Sequence, residues 1–312
     1  MLPGGHLPTV WGKKFRRQRL LHDRVERLTT PDGDHLTLAR MGVARPGVPH
    51  LLILHGLEGT VGAKYAHGML ELARQRGWSG DLLLFRTCDG EMNSTRRLYH
   101  SGETTDTDFV VRHLNRTTPG LQLVVCGVSL GGNVLVKWLG ELGESARTLV
   151  HRAAAVSVPF DLGAGSRFLE LGFSRLYTKH FLSTLVPKAL AKLDQFPGAF
   201  DGDRVRRAKT FWEFDDAATA PLHGFKDAAD YYDRSSSLRF ISGVAVPMLA
   251  FVALDDPFIP RAVIDQAVFI ASTNRSVRIE LTERGGHVGW IEGSIWPSHY
   301  YMEHRIIEFL SL

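Results

Sequence analysis

Three features of the sequence predict an α/β fold with a mostly parallel central sheet. Short apolar runs alternate with helix-length segments from about residue 49 onward. One of those runs, Leu121–Cys126, ends in a glycine-rich corner that opens directly into a helix-like segment. The alternation is interrupted once, over 160–235, and then resumes. A chain of 312 residues with 44% hydrophobic content can bury one large core. The expectation is therefore a single domain over 1–312, carrying a helical cap insertion at 160–235.

The elements follow in order. Segments 18–29 and 34–42 read as extended, and Pro31-Asp32-Gly33-Asp34 between them has hairpin-turn chemistry. Pro49–Leu54 is a continuous apolar run of the kind a buried parallel strand requires. Helix 63–76, strand 81–86, helix 103–116, strand 121–126, helix 130–142 and strand 152–158 follow. From Pro159 to about 235 the chain is aromatic-rich, helical in parts, and punctuated by Pro187, Pro197, Gly198 and Pro221, with no strand pattern. Strand 247–253, helix 261–271, strand 276–282 and a C-terminal helix over 298–310 complete the prediction. An insertion after the sixth strand, with sheet continuing beyond it, suits a cap over an active site.

Composition narrows the function classes. The formal charge of +4 is mild, and its one dense basic cluster, Lys13 to Arg19, reads as a solvated edge before the first strand. Nothing in the sequence has a nucleic-acid-reading pattern, and no His or Cys spacing suits a metal, so neither a nucleic-acid partner, a cofactor nor a metal is expected. Two cysteines, Cys88 and Cys126, make no disulfide framework and fit a reducing compartment. The N-terminal residues lack a signal-peptide apolar region, and Gly243–Leu254 is too short to span a bilayer. The expected location is cytoplasmic.

The chemistry is carried by three separated loops. Gly127-Val128-Ser129-Leu130-Gly131 fits G-x-S-x-G between an apolar strand and a helix, the context of a nucleophile elbow. A serine hydroxyl is a weak nucleophile at neutral pH, so it needs a base, and the base needs an orienting acid. Both occur downstream in the order that the elbow architecture demands. Asp255-Asp256 follows the apolar run 247–253, and His287 lies in Gly285-Gly286-His287-Val288-Gly289 after the next strand. Asp256, four residues before Pro260, is the favoured acid, with Asp255 in reserve. An oxyanion hole needs two preorganised N–H donors. Leu130, directly after the nucleophile, and Leu57, in the loop His55-Gly56-Leu57-Glu58-Gly59, are the candidates, with His55 a structural hydrogen-bonder. Catalytic candidates are thus Ser129, Asp256 and His287.

Together with Tyr99-His100-Ser101-Gly102-Glu103 and the continuation Gly132-Asn133, these segments resemble the YheT-like branch of the α/β-hydrolases, over nearly the whole chain. The resemblance implies an α/β-hydrolase fold and action on carboxylic esters, with Ser129, the Asp255-Asp256 pair and His287 at the triad positions. A segment that reads R-G-C-S-G-E in the family is Arg86-Thr87-Cys88-Asp89-Gly90-Glu91 here, which changes residues outside the triad. The expected function is hydrolysis of short- to medium-chain acyl esters through an acyl-enzyme. The alternatives are transfer of the acyl group to an alcohol, and a non-catalytic binding protein on the same fold. The expected partner is a small ester, lipid-like in character, with room for peripheral membrane contact. Phe168, Leu169, Leu171, Phe173, Leu176, Tyr177, Phe181 and Leu182 of the insertion are the expected lining of an acyl pocket.

Overall fold

The computed structural model describes residues 4–16, 18–292 and 299–312. It opens on a helix that the sequence pattern did not suggest, α1 (His6–Lys14). Strands β1 (Arg24–Thr29) and β2 (His35–Met41) form the expected hairpin, although 18–23, expected to be extended as part of the first strand, lies outside it. Next come β3 (Pro49–Leu54), α2 (Lys64–Gln75), β4 (Ser79–Leu84), α3 (Thr105–Thr117), β5 (Gln122–Val128), α4 (Leu130–Leu142) and β6 (Arg152–Val156). The chain then leaves the sheet for α5 (Leu162–Phe168), α6 (Arg175–Gln195), α7 (Gly202–Arg207), α8 (Phe211–Phe214), α9 (Ala220–His223) and α10 (Ala228–Ser235). It returns through β7 (Met248–Ala253), α11 (Arg261–Ala271) and β8 (Val277–Thr282). A two-stranded ladder, β9 (Ile291–Glu292) with β10 (His299–Tyr300), precedes α12 (Tyr301–Leu310). Residue 298, where the last helix was expected to begin, lies outside the described residues.

The eight-stranded sheet has the order β1-β2-β4-β3-β5-β6-β7-β8. The pairs β1–β2 and β2–β4 are antiparallel, and every pair from β3–β4 to β7–β8 is parallel. This is the mostly parallel sheet with a helical insertion that the apolar runs predicted. Alternate residues of the central strands face opposite sides. Leu52, Leu54, Val125, Ala153, Ala250 and Val252 pack with Val134 and Trp138 of α4 and Ile264 of α11. Leu51, Ile53, Val124, Cys126, Leu249 and Phe251 pack with Met69 of α2 and with Ile306 and Ile307 of α12. Burial on both faces explains why these strands read as unbroken apolar runs. The edge strands differ: β1 and β8 are half-exposed and carry Arg24, Glu26, Arg278 and Glu280, charges that discourage edge pairing.

Two expectations need correction. Pro187 does not break the insertion: it lies inside the 21-residue α6, while Pro197 and Gly198 follow that helix and Pro221 lies just after the π-helical turn Asp215–Thr219, within helical backbone that runs without a break from α8 into α9. The basic cluster at 13–19 is not simply a solvated edge. Part of it belongs to α1, and Arg16 is buried in an ion pair with Glu303 of α12, with its guanidinium 3.9 Å from the centre of the Tyr300 ring. The side chains of Lys13 and Lys14, and Arg17, lie outside the described residues.

Candidate active site

The carboxyl ends of four parallel strands, β3, β5, β7 and β8, face one edge of the sheet, the place where open α/β sheets hold their ligands. The segment after β5 makes a sharp corner. Ser129 has φ 55° and ψ −117°, a conformation that L-residues rarely adopt, and its N–H is held by Val156 O at 2.8 Å. The corner closes only because Gly131 has no side chain: a Cβ there would lie 2.4 Å from Leu54 O and 2.6 Å from His55 O. Helix α4 begins at Leu130, so its free N-terminal amides lie beside the serine hydroxyl.

The three candidate catalytic side chains meet. His287 Nε2 is 2.8 Å from Ser129 Oγ, and His287 Nδ1 is 2.8 Å from Asp256 Oδ2 and 3.1 Å from Oδ1. With Nδ1 against a carboxylate, the imidazole proton belongs on Nδ1, which leaves Nε2 to accept from the serine hydroxyl. Asp256 is 3% exposed, and its Oδ1 also accepts the Phe258 N–H at 2.8 Å. The Phe258 ring stacks on the imidazole at 4.1 Å and 10° and covers one face of it.

Asp255 faces elsewhere. Its Oδ1 accepts the N–H groups of Gly285 and Gly286 at 2.9 and 2.8 Å, so it fastens the histidine loop by its backbone. Thr9 of α1 accepts the His287 N–H at 2.8 Å, and Ser157 Oγ accepts the Val288 N–H at 3.2 Å. Val288 itself has φ 64°, so these bonds hold a strained turn.

The loop after β3 lies beside the serine. Gly56 N–H donates to Tyr65 Oη, Glu58 N–H to Tyr99 Oη, and Gly59 N–H to Gly56 O, each at 2.9 Å. The hydrogen bonds of the described residues commit the amides on both sides of Leu57 and not that of Leu57 itself. Leu57 and Leu130 both line the cavity above Ser129 and His287. Glu58, at φ 55°, also receives the Tyr99 hydroxyl at 2.7 Å and Lys188 Nζ of α6 at 2.8 Å on Oε1. His55 is a buried hydrogen-bonder, with Nδ1 2.7 Å from Gly56 O and Nε2 accepting the Phe85 N–H; burial pushes its pKa down to about 4, so it is neutral.

The cavity lining only partly follows the sequence-based expectation. Of the eight insertion residues expected there, Leu169 and Phe181 line it. Leu171, Phe173 and Leu176 are exposed, Leu182 is buried in a separate cluster with Val205 and Phe214, and Tyr177 packs against Phe258. Helical spacing identifies an apolar face but not the side it meets, and here the chain turns that run outward. The walls come instead from Leu162, Phe211, Tyr231 and Tyr232 of the insertion and Phe258 after β7. Within the altered 86–91 segment, Asp89 bonds Thr37 and His35 of β2, while Thr87 lines an adjoining cavity.

Several supporting residues stood in the quoted motifs without a role. Asn133 is fully buried; its amide donates to Ser101 O and Ser235 O at 2.8 Å and accepts the Ser237 N–H at 3.0 Å, which ties α4 to the chain leaving the insertion. Tyr99 and Phe258 were likewise inside motif segments, whereas Thr9, 278 residues from His287, carried no local signal.

No protein-family model matches the chain. It is 39% identical over 310 residues to the Escherichia coli protein named "Putative esterase YheT", an alignment that covers 98% of this chain and 90% of that one. It is 32% identical over 324 residues to "Phospholipase ABHD3" of Mus musculus, covering 98% of this chain and 78% of the relative. It is 33% identical over 254 residues to "Monoacylglycerol lipase" of Saccharomyces cerevisiae, covering 78% and 55%. Among solved structures, the Pyrococcus furiosus esterase Pf2001 superposes with a TM-score of 0.60 at 16% identity, over 92% of this chain and 89% of that one, a likeness of fold.

Proposed function

The chain belongs to the YheT-like branch of the α/β-hydrolases, and from that premise we propose that it is a serine hydrolase of carboxylic esters with Ser129, His287 and Asp256 as its triad. The observation that carries this reading is the unbroken hydrogen-bonded line from Asp256 through His287 to Ser129 at the floor of a largely apolar cavity.

In this reading each group has a task that its surroundings support. Ser129 Oγ attacks the ester carbonyl carbon while His287 Nε2 takes its proton. Asp256 holds the Nδ1–H tautomer and stabilises the imidazolium. The carbonyl oxygen becomes an oxyanion, and the amides of Leu57 and Leu130 are the proposed donors to it. Collapse breaks the bond to the alkoxy oxygen, which leaves with the proton returned by His287. Water then attacks the acyl-enzyme by the same base, releasing the acid and regenerating Ser129.

The substrate range we propose is short- to medium-chain acyl esters, supported by walls of Leu162, Leu169, Phe181 and Phe211. Because the insertion supplies those walls, we take 160–235 as a cap on a single domain. No helix among the described residues is long and apolar enough to cross a membrane. A cytoplasmic location is part of the reading, supported by two buried, unpaired cysteines.

A fluorophosphonate probe tests the proposal. Wild type should label and turn over p-nitrophenyl esters, and Ser129→Ala should do neither while keeping its fold. A folded wild type that neither labels nor hydrolyses any ester of the graded series would reject it. Adding an alcohol and assaying for a new ester separates hydrolysis from acyl transfer.

A further inference from the structure

Among the described residues, the cavity lining includes one carboxyl group, and ester cleavage does not use it. Asp215 lines the cavity over Ser129 and His287, and also the adjoining one bordered by His100, His223 and Lys188. It begins a π-helical turn, Asp215–Thr219, between α8 and α9, an irregularity that recurs at functional positions. Its side chain is well buried, with the residue 9% exposed. Thr219 Oγ1 donates to Oδ1 at 2.5 Å and Tyr232 Oη to Oδ2 at 2.6 Å. Both donors are neutral, and among the described residues no ion pair includes Asp215. Lys188 is committed to Glu58 at 2.8 Å.

A carboxylate taken out of water without a cation is destabilised by several kcal/mol, on the order of the cost of any buried unpaired ion. Each of its oxygens has a lone pair beyond the one already used. The rings of Phe211 and Phe258 line the same space, and the polar side chains there besides Ser129 and His287 are the hydroxyls of Ser101, Ser166, Tyr231 and Tyr232, all neutral, so Asp215 is the one anionic acceptor among the described lining residues. The carboxylate of Asp215 thus shares a cavity with Ser129, where a donor on a bound substrate would supply what the protein does not.

We propose that Asp215 is a specificity-determining residue that selects esters carrying a hydrogen-bond donor, a hydroxyl or a primary ammonium, on the arm that reaches it from Ser129. The inference rests on the ester-hydrolase reading and narrows its substrate class from purely aliphatic esters to donor-bearing ones.

The protonation state adds a way to tell the two donors apart. Burial pushes the Asp215 carboxyl up to about 6, against the hydrogen bonds from Thr219 and Tyr232. Below that pH it is neutral, and above it is an anion. The titratable groups facing this space are Tyr231 and Tyr232, whose phenols burial keeps protonated, and His287. Across the adjoining cavity are His100, pushed down to about 3 by burial, His223, also held well below its ordinary value by burial, and Lys188 with its Glu58 partner. An ammonium gains more from Asp215 when the carboxyl is ionised, because the hydrogen bond is then charge-assisted on both sides, so its advantage grows from pH 5 to 7. A hydroxyl can donate or accept, so its advantage stays level. Any pH dependence of the shared chemical step scales every ester together and cancels in ratios between esters.

The experiment uses matched medium-chain esters capped with methyl, hydroxyl or ammonium, with the cap on the acyl arm in one set and on the alcohol arm in the other. Wild type should prefer at least one donor-capped ester over its methyl twin by about tenfold or more in kcat/KM. Asp215→Leu should bring that ratio to within about twofold of one. Asp215→Asn keeps the shape and an accepting oxygen, so it should lose the pH-dependent part of the ammonium preference while retaining a hydroxyl preference. Equal or better turnover of both methyl-capped esters by wild type overturns the inference without any variant, as does a preference that survives Asp215→Leu. Fluorophosphonate labelling of the same preparations separates the two levels: labelled enzyme without donor preference defeats this inference alone, whereas wild type that neither labels nor turns over any ester defeats the hydrolase reading beneath it.

Discussion

Asp256 directs both carboxylate oxygens toward His287 Nδ1, while its neighbour Asp255 takes two glycine amides of the histidine loop. The same substitution should therefore act differently at the two positions. Asp256→Asn presents an amide N–H or a poorer acceptor to Nδ1, which disfavours the tautomer that leaves Nε2 free. The loss in kcat should approach about 10⁴-fold with little change in stability. Asp255→Asn retains an oxygen that can accept from Gly285 and Gly286. It should lower kcat by no more than about tenfold and unfold within about 1 kcal/mol of wild type, the size of one altered hydrogen bond. Steady-state kinetics with a p-nitrophenyl ester, beside urea unfolding, separates the two. If Asp255→Asn proves the more damaging in kcat, the roles are reversed. The order of the motifs admitted both aspartates, and the spacing to Pro260 favoured Asp256 with Asp255 in reserve. What distinguishes them is the direction each side chain takes after β7, which is a property of the turn and not of residue type.

Among the elements, the loop after β3 and helix α6 of the insertion are joined through one carboxylate. Glu58 sits at positive φ directly after the candidate oxyanion donor Leu57, and Tyr99 both accepts its N–H and donates to its side chain. Lys188 reaches the same oxygen from α6. This couples the position of the insertion to the aim of the Leu57 amide. Lys188→Met should lower kcat by about tenfold with KM little altered, because misaiming an oxyanion donor is felt in the transition state more than in the bound substrate. Lys188→Arg should recover part of the loss. A fall confined to KM would mean that Lys188 serves only substrate binding. The strands and flanking helices of this region were legible in the sequence because burial on both faces writes a continuous apolar run. The acyl wall was not, since the run Leu171, Phe173, Leu176 has the composition of a pocket and the exposure of a surface. Helix α6 likewise passes through Pro187, where local propensity argued for a break and packing of Leu182 and Ala189 prevailed.

At the scale of the whole molecule, the two ends of the chain close around the histidine loop. Helix α1 supplies Thr9, whose hydroxyl accepts the His287 N–H and donates to Gly5 O at 2.6 Å. Gly5 lies so close to the acid loop that a Cβ there would fall 1.7 Å from Asp255 O. Just beyond α1, Arg16 forms its buried ion pair with Glu303 of α12, which anchors the start of the chain to the last helix. None of these residues belongs to the sheet, whose strands pair among themselves from β1 to β8. Loss of the N-terminal helix should therefore loosen the site without dissolving the core. Thr9→Val keeps the volume and removes the acceptor. It leaves a mostly buried N–H unpaired beside a strained turn, and should lower kcat by about tenfold and stability by about 1–3 kcal/mol. Removing residues up to Lys14 should reduce kcat further while the circular-dichroism spectrum keeps its α/β shape. Hydrogen exchange should then show faster exchange at 285–290 and unchanged protection in β3, β5 and β6. If the truncated protein instead retains full kcat, α1 is packing alone, and the histidine loop is held by Asp255 and Ser157 without help from the start of the chain.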